Sequence, residues 1–161
     1  MSSIKLVSLS ALVACLSYPA VAQEVSEGRM LAELTFENVD VNGNGYVHQG
    51  DIEEARGLVF ASMDQDESGK LDLDEWMGWD YGFRALAEET GKVAAYETAL
   101  EVMFAVSDYD GDGLISQTEH RKNSQAGFIR ADLNNDSILS SDEFLNGFTI
   151  LVALRSALKP D

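Results

Sequence analysis

Oxygen-bearing side chains recur at alternate positions in four twelve-residue stretches: DVNGNGYVHQGD (40–51), DQDESGKLDLDE (64–75), DYDGDGLISQTE (108–119) and DLNNDSILSSDE (132–143). Each opens with Asp, has an oxygen at its third and fifth positions, and closes with Asp or Glu. A tightly turning chain with this spacing can direct its side chains at one centre. A hard divalent cation needs that arrangement, since it takes six to eight oxygens at about 2.3–2.6 Å. The chemistry on offer is therefore cation coordination. The eighth position is always aliphatic (Val47, Leu71, Ile115, Leu139), and a phenylalanine stands four residues before each stretch (Phe36, Phe60, Phe104, Phe128). One such run in an acidic chain is an ordinary solvated loop; four in one register are a repeat.

The stretches resemble the calcium loops of the EF-hand family, whose form is D-x-[DN]-x-[DN]-G-x5-E. The resemblance implies up to four Ca2+ ions and a ligand set for each loop. The third loop matches best, with Asp108, Asp110, Asp112, the Leu114 carbonyl, Ser116 and Glu119. The second offers Asp64, Asp66, Ser68, the Lys70 carbonyl, Asp72 and Glu75. In the first, Asp40, Asn42, Asn44, the Tyr46 carbonyl and Asp51 include two amides and a short closing acid. That set lowers calcium affinity and suits magnesium's tighter shell better. The fourth has Asp132, Asn134, Asp136, the Ile138 carbonyl and Glu143, but Ser137 replaces the sixth-position glycine. A left-handed backbone there costs a serine on the order of 1 kcal/mol, which binding through three carboxylates offsets.

The spacing constrains the elements that hold these loops. Only residues 52–63 separate the first two loops and only 120–131 the last two. Twelve residues make one helix of about 18 Å, which must leave one loop and lead into the next. Loops at opposite ends of one helix cannot pair with each other. The expected pairs are the second loop with the third and the first with the fourth, through short bridges Leu71–Ile115 and Val47–Leu139. Residues 76–107 read as a helix to Glu89, a turn at Thr90-Gly91-Lys92 and a helix from Val93. FLNGFTILVALRSAL reads as one closing helix. The predicted fold is all-α, a single EF-hand domain over 23–161. The compressed spacing is similar to that of the lanmodulin group of periplasmic EF-hand proteins, which implies a lanthanide as an alternative ion. Those proteins carry proline at the second loop position, where this chain has Val41, Gln65, Tyr109 and Leu133.

Composition narrows the partners. A net charge of -17 over 161 residues repels phosphate backbones and anionic lipid, so nucleic acid is excluded and metal ions are favoured. Residues 1–22 read as a signal peptide: Lys5, an apolar run from Leu6 to Leu16, and Ala20-Val21-Ala22 as the cleavage site. A periplasmic or secreted protein with no transmembrane segment after signal removal is expected, the alternative being a lipoprotein anchored at Cys15. Cleavage after Ala22 removes the single cysteine. The acids are consumed as ligands and no nucleophile–base set remains, so no enzyme is expected. His48 and His120 lack the spacing of a transition-metal site. Trp76, Trp79, Tyr81 and Phe83 read as core. Met63, Met77 and Met103 could line a groove for an unidentified protein partner, with core packing the more economical use of them.

Overall fold

The computed structural model describes residues 26–159, so the signal-peptide segment lies outside the described residues. The chain is mostly helical. Helix α1 (Glu27–Val39) leads to β1 (Tyr46–His48) and α2 (Gln49–Met63). Next come β2 (Lys70–Leu71), α3 (Leu73–Gly78), α4 (Arg84–Glu89) and α5 (Val93–Ser107). The second half holds β3 (Ile115–Ser116), α6 (Gln117–Ala131), β4 (Ile138–Ser140), α7 (Ser141–Gly147) and α8 (Thr149–Ala157).

The repeated residues set where these helices stop. Helices α1, α2, α5 and α6 end at Asp40, Asp64, Asp108 and Asp132, whose ψ values of 66–87° leave the helical region. Each of these aspartates donates its N–H to the carbonyl of the phenylalanine four residues earlier. The phenylalanine rings themselves are buried. One turn of sequence thus anchors the helix in the core and releases the chain at its last residue.

The aliphatic eighth positions tie the loops together. Val47 pairs with Leu139 in an antiparallel ladder of β1 with β4, and Leu71 pairs with Ile115 between β2 and β3. All four side chains are fully buried. The start of α2 therefore lies by the end of α6, and the end of α2 by the start of α6, so the two helices run in opposite directions. Phe60 meets His120 between them, with ring centroids 5.4 Å apart.

Two expected helices are broken. The helix expected to run to Glu89 stops at Gly78 and resumes at Arg84. Asp80 Oδ1 accepts the Gly82 N–H at 2.7 Å, and Gly82 takes φ +82°, a turn that outcompetes the helix. The turn drives Phe83 into the core and seats Trp79 edge-on against Tyr81, centroids 4.6 Å apart. The closing helix divides at Phe148, whose ψ of 116° is extended. Gly147 packs so closely on α6 that an added Cβ would lie 2.6 Å from the Ala131 Cα. The bend after it stacks Phe148 on Phe144 at 5.1 Å.

The methionines considered for a groove all pack in or against the core: Met63 and Met103 are core residues, and Met77 packs partly buried against it. Trp76 and Phe83 are buried, and Trp79 and Tyr81 pack against the core. Among the described residues, no helix is long and apolar enough to cross a membrane.

Candidate metal centre

Each twelve-residue stretch folds around its own first aspartate. One carboxylate oxygen of Asp40, Asp64, Asp108 and Asp132 accepts the N–H of the sixth residue at 2.8–3.1 Å. The fifth residue's side chain accepts the N–H of the seventh: Asn44 from Tyr46, Ser68 from Lys70, Asp112 from Leu114 and Asp136 from Ile138. These bonds curl the backbone so that the side-chain oxygens converge. The curl needs a left-handed residue at position six. Gly45, Gly69 and Gly113 supply it, and Ser137 adopts it at φ +68°.

A second repeated device fixes the closing acid. The ninth residue caps the following helix, with His48, Asp72, Ser116 and Ser140 accepting from the backbone N–H of Asp51, Glu75, Glu119 and Glu143. Each acid in return accepts the N–H of its ninth residue, completing a capping box. Asp72 and Ser116, which the EF-hand resemblance makes ligands, are thus caps here. Ser-x-x-Glu at 116–119 and 140–143 carries this signal in the sequence.

The acids differ in how they gather. In the second loop Asp64, Asp66 and Glu75 each bring an oxygen within 4.8 Å of the others. In the third loop Asp108, Asp110 and Asp112 do the same. These are all-oxygen, anionic sets, and they fit a hard cation such as Ca2+. Glu119 stands outside that triad; its Oε1 accepts from the Tyr109 N–H at 2.8 Å and its Oε2 from Ser116. Glu75 reaches across its loop, accepting from Gln65 at 2.8 Å. Ser68 donates its hydroxyl to the Lys70 carbonyl at 2.8 Å, which joins two of the oxygens expected to act as ligands.

The outer pair of loops is poorer in charge. Asp51 is buried, 4% exposed, and committed to its capping box with His48. Asn42 and Asn44 leave the first loop two expected carboxylates. In the fourth, the Asn134 amide donates to Asp136 at 3.0 Å.

Hydrogen bonds hold several of these acids below their ordinary pKa: Asp66 through Ser68, Glu119 through the Ser116 backbone and Glu143 through the Ser140 side chain. Asp112 is lowered by the Lys70 ammonium, whose Nζ lies 2.5 Å from Oδ2, and Lys70 is raised in turn. The reading of the sequence used only the Lys70 carbonyl. The register Lys70–Ser116 was the signal that its side chain would reach the third loop.

Comparison with protein families adds one finding. Residues 57–78 match the EF hand family. The matched span runs from the middle of α2 through the second loop into α3, and it encloses the Asp64–Asp66–Glu75 triad. It supports the EF-hand superfamily, for which calcium is the implied ion. A comparison with curated proteins finds no match.

Proposed function

We propose that this chain is a non-enzymatic calcium-binding protein of the periplasm or extracellular space, with up to four EF-hand loops. The observation that carries this is the acidic triad of the second loop inside the span matching an EF hand. The second and third loops fill first, because they gather three carboxylates each; the first and fourth follow at higher calcium. The ligands are those expected from the sequence, with closing acids turning from their capping boxes toward the ion. Thirteen carboxylates lie among those ligands and repel one another without metal. Calcium neutralises them, so binding and stability are coupled. Affinities of about 10⁻⁴–10⁻³ M suit an extracellular site of this kind.

Calorimetric titration of the mature protein with calcium, paired with thermal melts in calcium and in chelator, tests the reading. Heat at two or more sites and a higher melting temperature with calcium are expected. Identical melts in both conditions, with no heat at millimolar calcium, would overturn it. Terbium competing with calcium only as an ordinary trivalent ion separates this reading from a lanthanide-selective one.

A further inference from the structure

Asparagine is followed by glycine at Asn42–Gly43, Asn44–Gly45 and Asn146–Gly147. Such a pair can modify itself in water, because the glycine nitrogen can attack the asparagine side-chain carbonyl with no Cβ in its way. A folded chain permits this where the side chain can turn, the glycine N–H can lose its proton and the backbone can rotate. The pairs differ on these counts. Asn146 and Gly147 end α7, and an added Cβ at Gly147 would lie 2.6 Å from the Ala131 Cα, so that backbone is held fast. Asn44 is tied twice. Its Oδ1 accepts from the Tyr46 N–H at 3.1 Å, and the Gly45 N–H donates to the Asp40 carboxylate at 2.8 Å. A bond to a carboxylate is charge-assisted, and the negative charge opposes loss of the glycine proton. Asn42 escapes these restraints. Its side chain is exposed and makes no hydrogen bond among the described residues. Gly43 is exposed, has open space where a Cβ would stand, and donates its N–H to a neutral group, the Asp40 carbonyl, at 3.0 Å.

We propose that Asn42 deamidates in the folded protein, so that the third position of the first loop changes with age from an amide to a carboxylate. The Gly43 nitrogen gives up its proton and bonds to Asn42 Cγ, and the bond from Cγ to the side-chain nitrogen breaks. That nitrogen leaves as ammonia with the proton, and a five-membered succinimide remains. Water then opens the ring. Addition at Cγ restores the ordinary main chain with an aspartate at position 42; addition at the backbone carbonyl carbon reroutes the chain through Cγ as isoaspartate. Nothing is oxidised or reduced, and water is the one co-reactant. The aspartate stands where the second and third loops have Asp66 and Asp110, each part of an acidic triad. Isoaspartate instead adds a methylene to the main chain inside the Asp40–Gly43 turn and spoils the curl of the loop. The modification itself is independent of metal; its effect on calcium binding rests on the function proposed above.

The test incubates the purified protein in chelator at mildly alkaline pH, with and without urea, and follows each pair by peptide mass. In urea the three pairs should lose their amides at comparable rates. In the folded protein Asn42 should react at least about tenfold faster than Asn44 or Asn146, since those must first release a charge-assisted bond or a packed backbone. Asn42→Asp supplies the carboxylate directly and should bind calcium at the first loop about threefold or more tightly, as a third carboxylate joins the set. Two outcomes overturn the proposal: Asn42 keeping its amide while the unfolded chain loses it, or Asn44 or Asn146 reacting as fast as Asn42 in the folded protein. Calcium binding by Asn42→Asp no tighter than by the parent overturns the assigned consequence. A protein that takes up no calcium at all sinks the function proposed above and leaves the mass result standing.

Discussion

Lys70 of the second loop places its ammonium against the Asp112 carboxylate of the third, across the β2–β3 bridge. The pair spans the two loops richest in acid. Any cation that takes Asp112 as a ligand must displace this ammonium and then sit close to it. Both groups are more than a third exposed, so water screens the pair, which is held only weakly. Lys70→Met is therefore expected to tighten calcium binding at the third loop by about two- to fivefold. Calorimetry on the two proteins measures it, and an unchanged or weakened affinity would show that the ammonium does not compete.

Ser137 offers a cleaner backbone test. Its φ of +68° is a conformation glycine adopts freely, while glycine loses more freedom on folding. The balance favours Ser137→Gly by about 0.5–1 kcal/mol. Urea denaturation in chelator should show that gain, with stronger calcium binding at the fourth loop. A loss of stability would mean the serine side chain contributes more than its backbone costs.

Two other glycines should respond in opposite senses. Gly147 has no room for a Cβ beside Ala131, so Gly147→Ala should cost about 1–3 kcal/mol. Gly57 lies inside α2 with open space around it, and Gly57→Ala should stabilise by about 0.5–1 kcal/mol. Equal responses in denaturation experiments would contradict the close approach of α7 to α6.

Acid should weaken the metal-free protein in two windows. Burial, aided by the nearby Arg56 charge, lowers His120 from 6.5 to about 4. Its unfolded form binds the proton more readily, so its contribution is complete above pH 6.5 and declines toward pH 4. Hydrogen bonds from Arg56 and Arg121 lower Glu53 from 4.5 to about 2. Its contribution is present above pH 4.5 and is lost as the pH falls toward 2. Melts in chelator from pH 7 to 3 should show His120→Phe flattening the upper window and Glu53→Gln the lower. A slope that neither substitution alters would place the acid sensitivity elsewhere.

The features legible in the sequence were those set by local repetition. The register of four loops foretold which aliphatic residues would bridge, because a side chain fixed at position eight faces the partner loop whatever surrounds it. The start of α5 was legible from Gly91, which holds φ +69° before Val93. The breaks at Gly82 and Phe148 were not. Apolar periodicity runs through both, and the bends come from an aspartate turn and a close approach to Ala131 that depend on distant packing. The capping role of the ninth residues was hidden differently: one spacing serves both an ion and a helix start, and the EF-hand resemblance drew attention to the ion alone. The burial of Arg56 was beyond reach, since nothing along the chain marks which arginine will be buried.

The bridges also reveal how the two halves relate. Asp108 follows Asp40 by the same interval as Asp132 follows Asp64, and that shift carries the Val47–Leu139 bridge onto Ile115–Leu71. The molecule has the geometry of a pseudo-twofold dimer whose subunits are tethered through residues 79–92. Every bridge joins one half to the other, so neither half can satisfy its own strand edges. A protease cut at Gly91 would sever the tether without breaking a single bridge, and the fragments should stay together as a non-covalent pair.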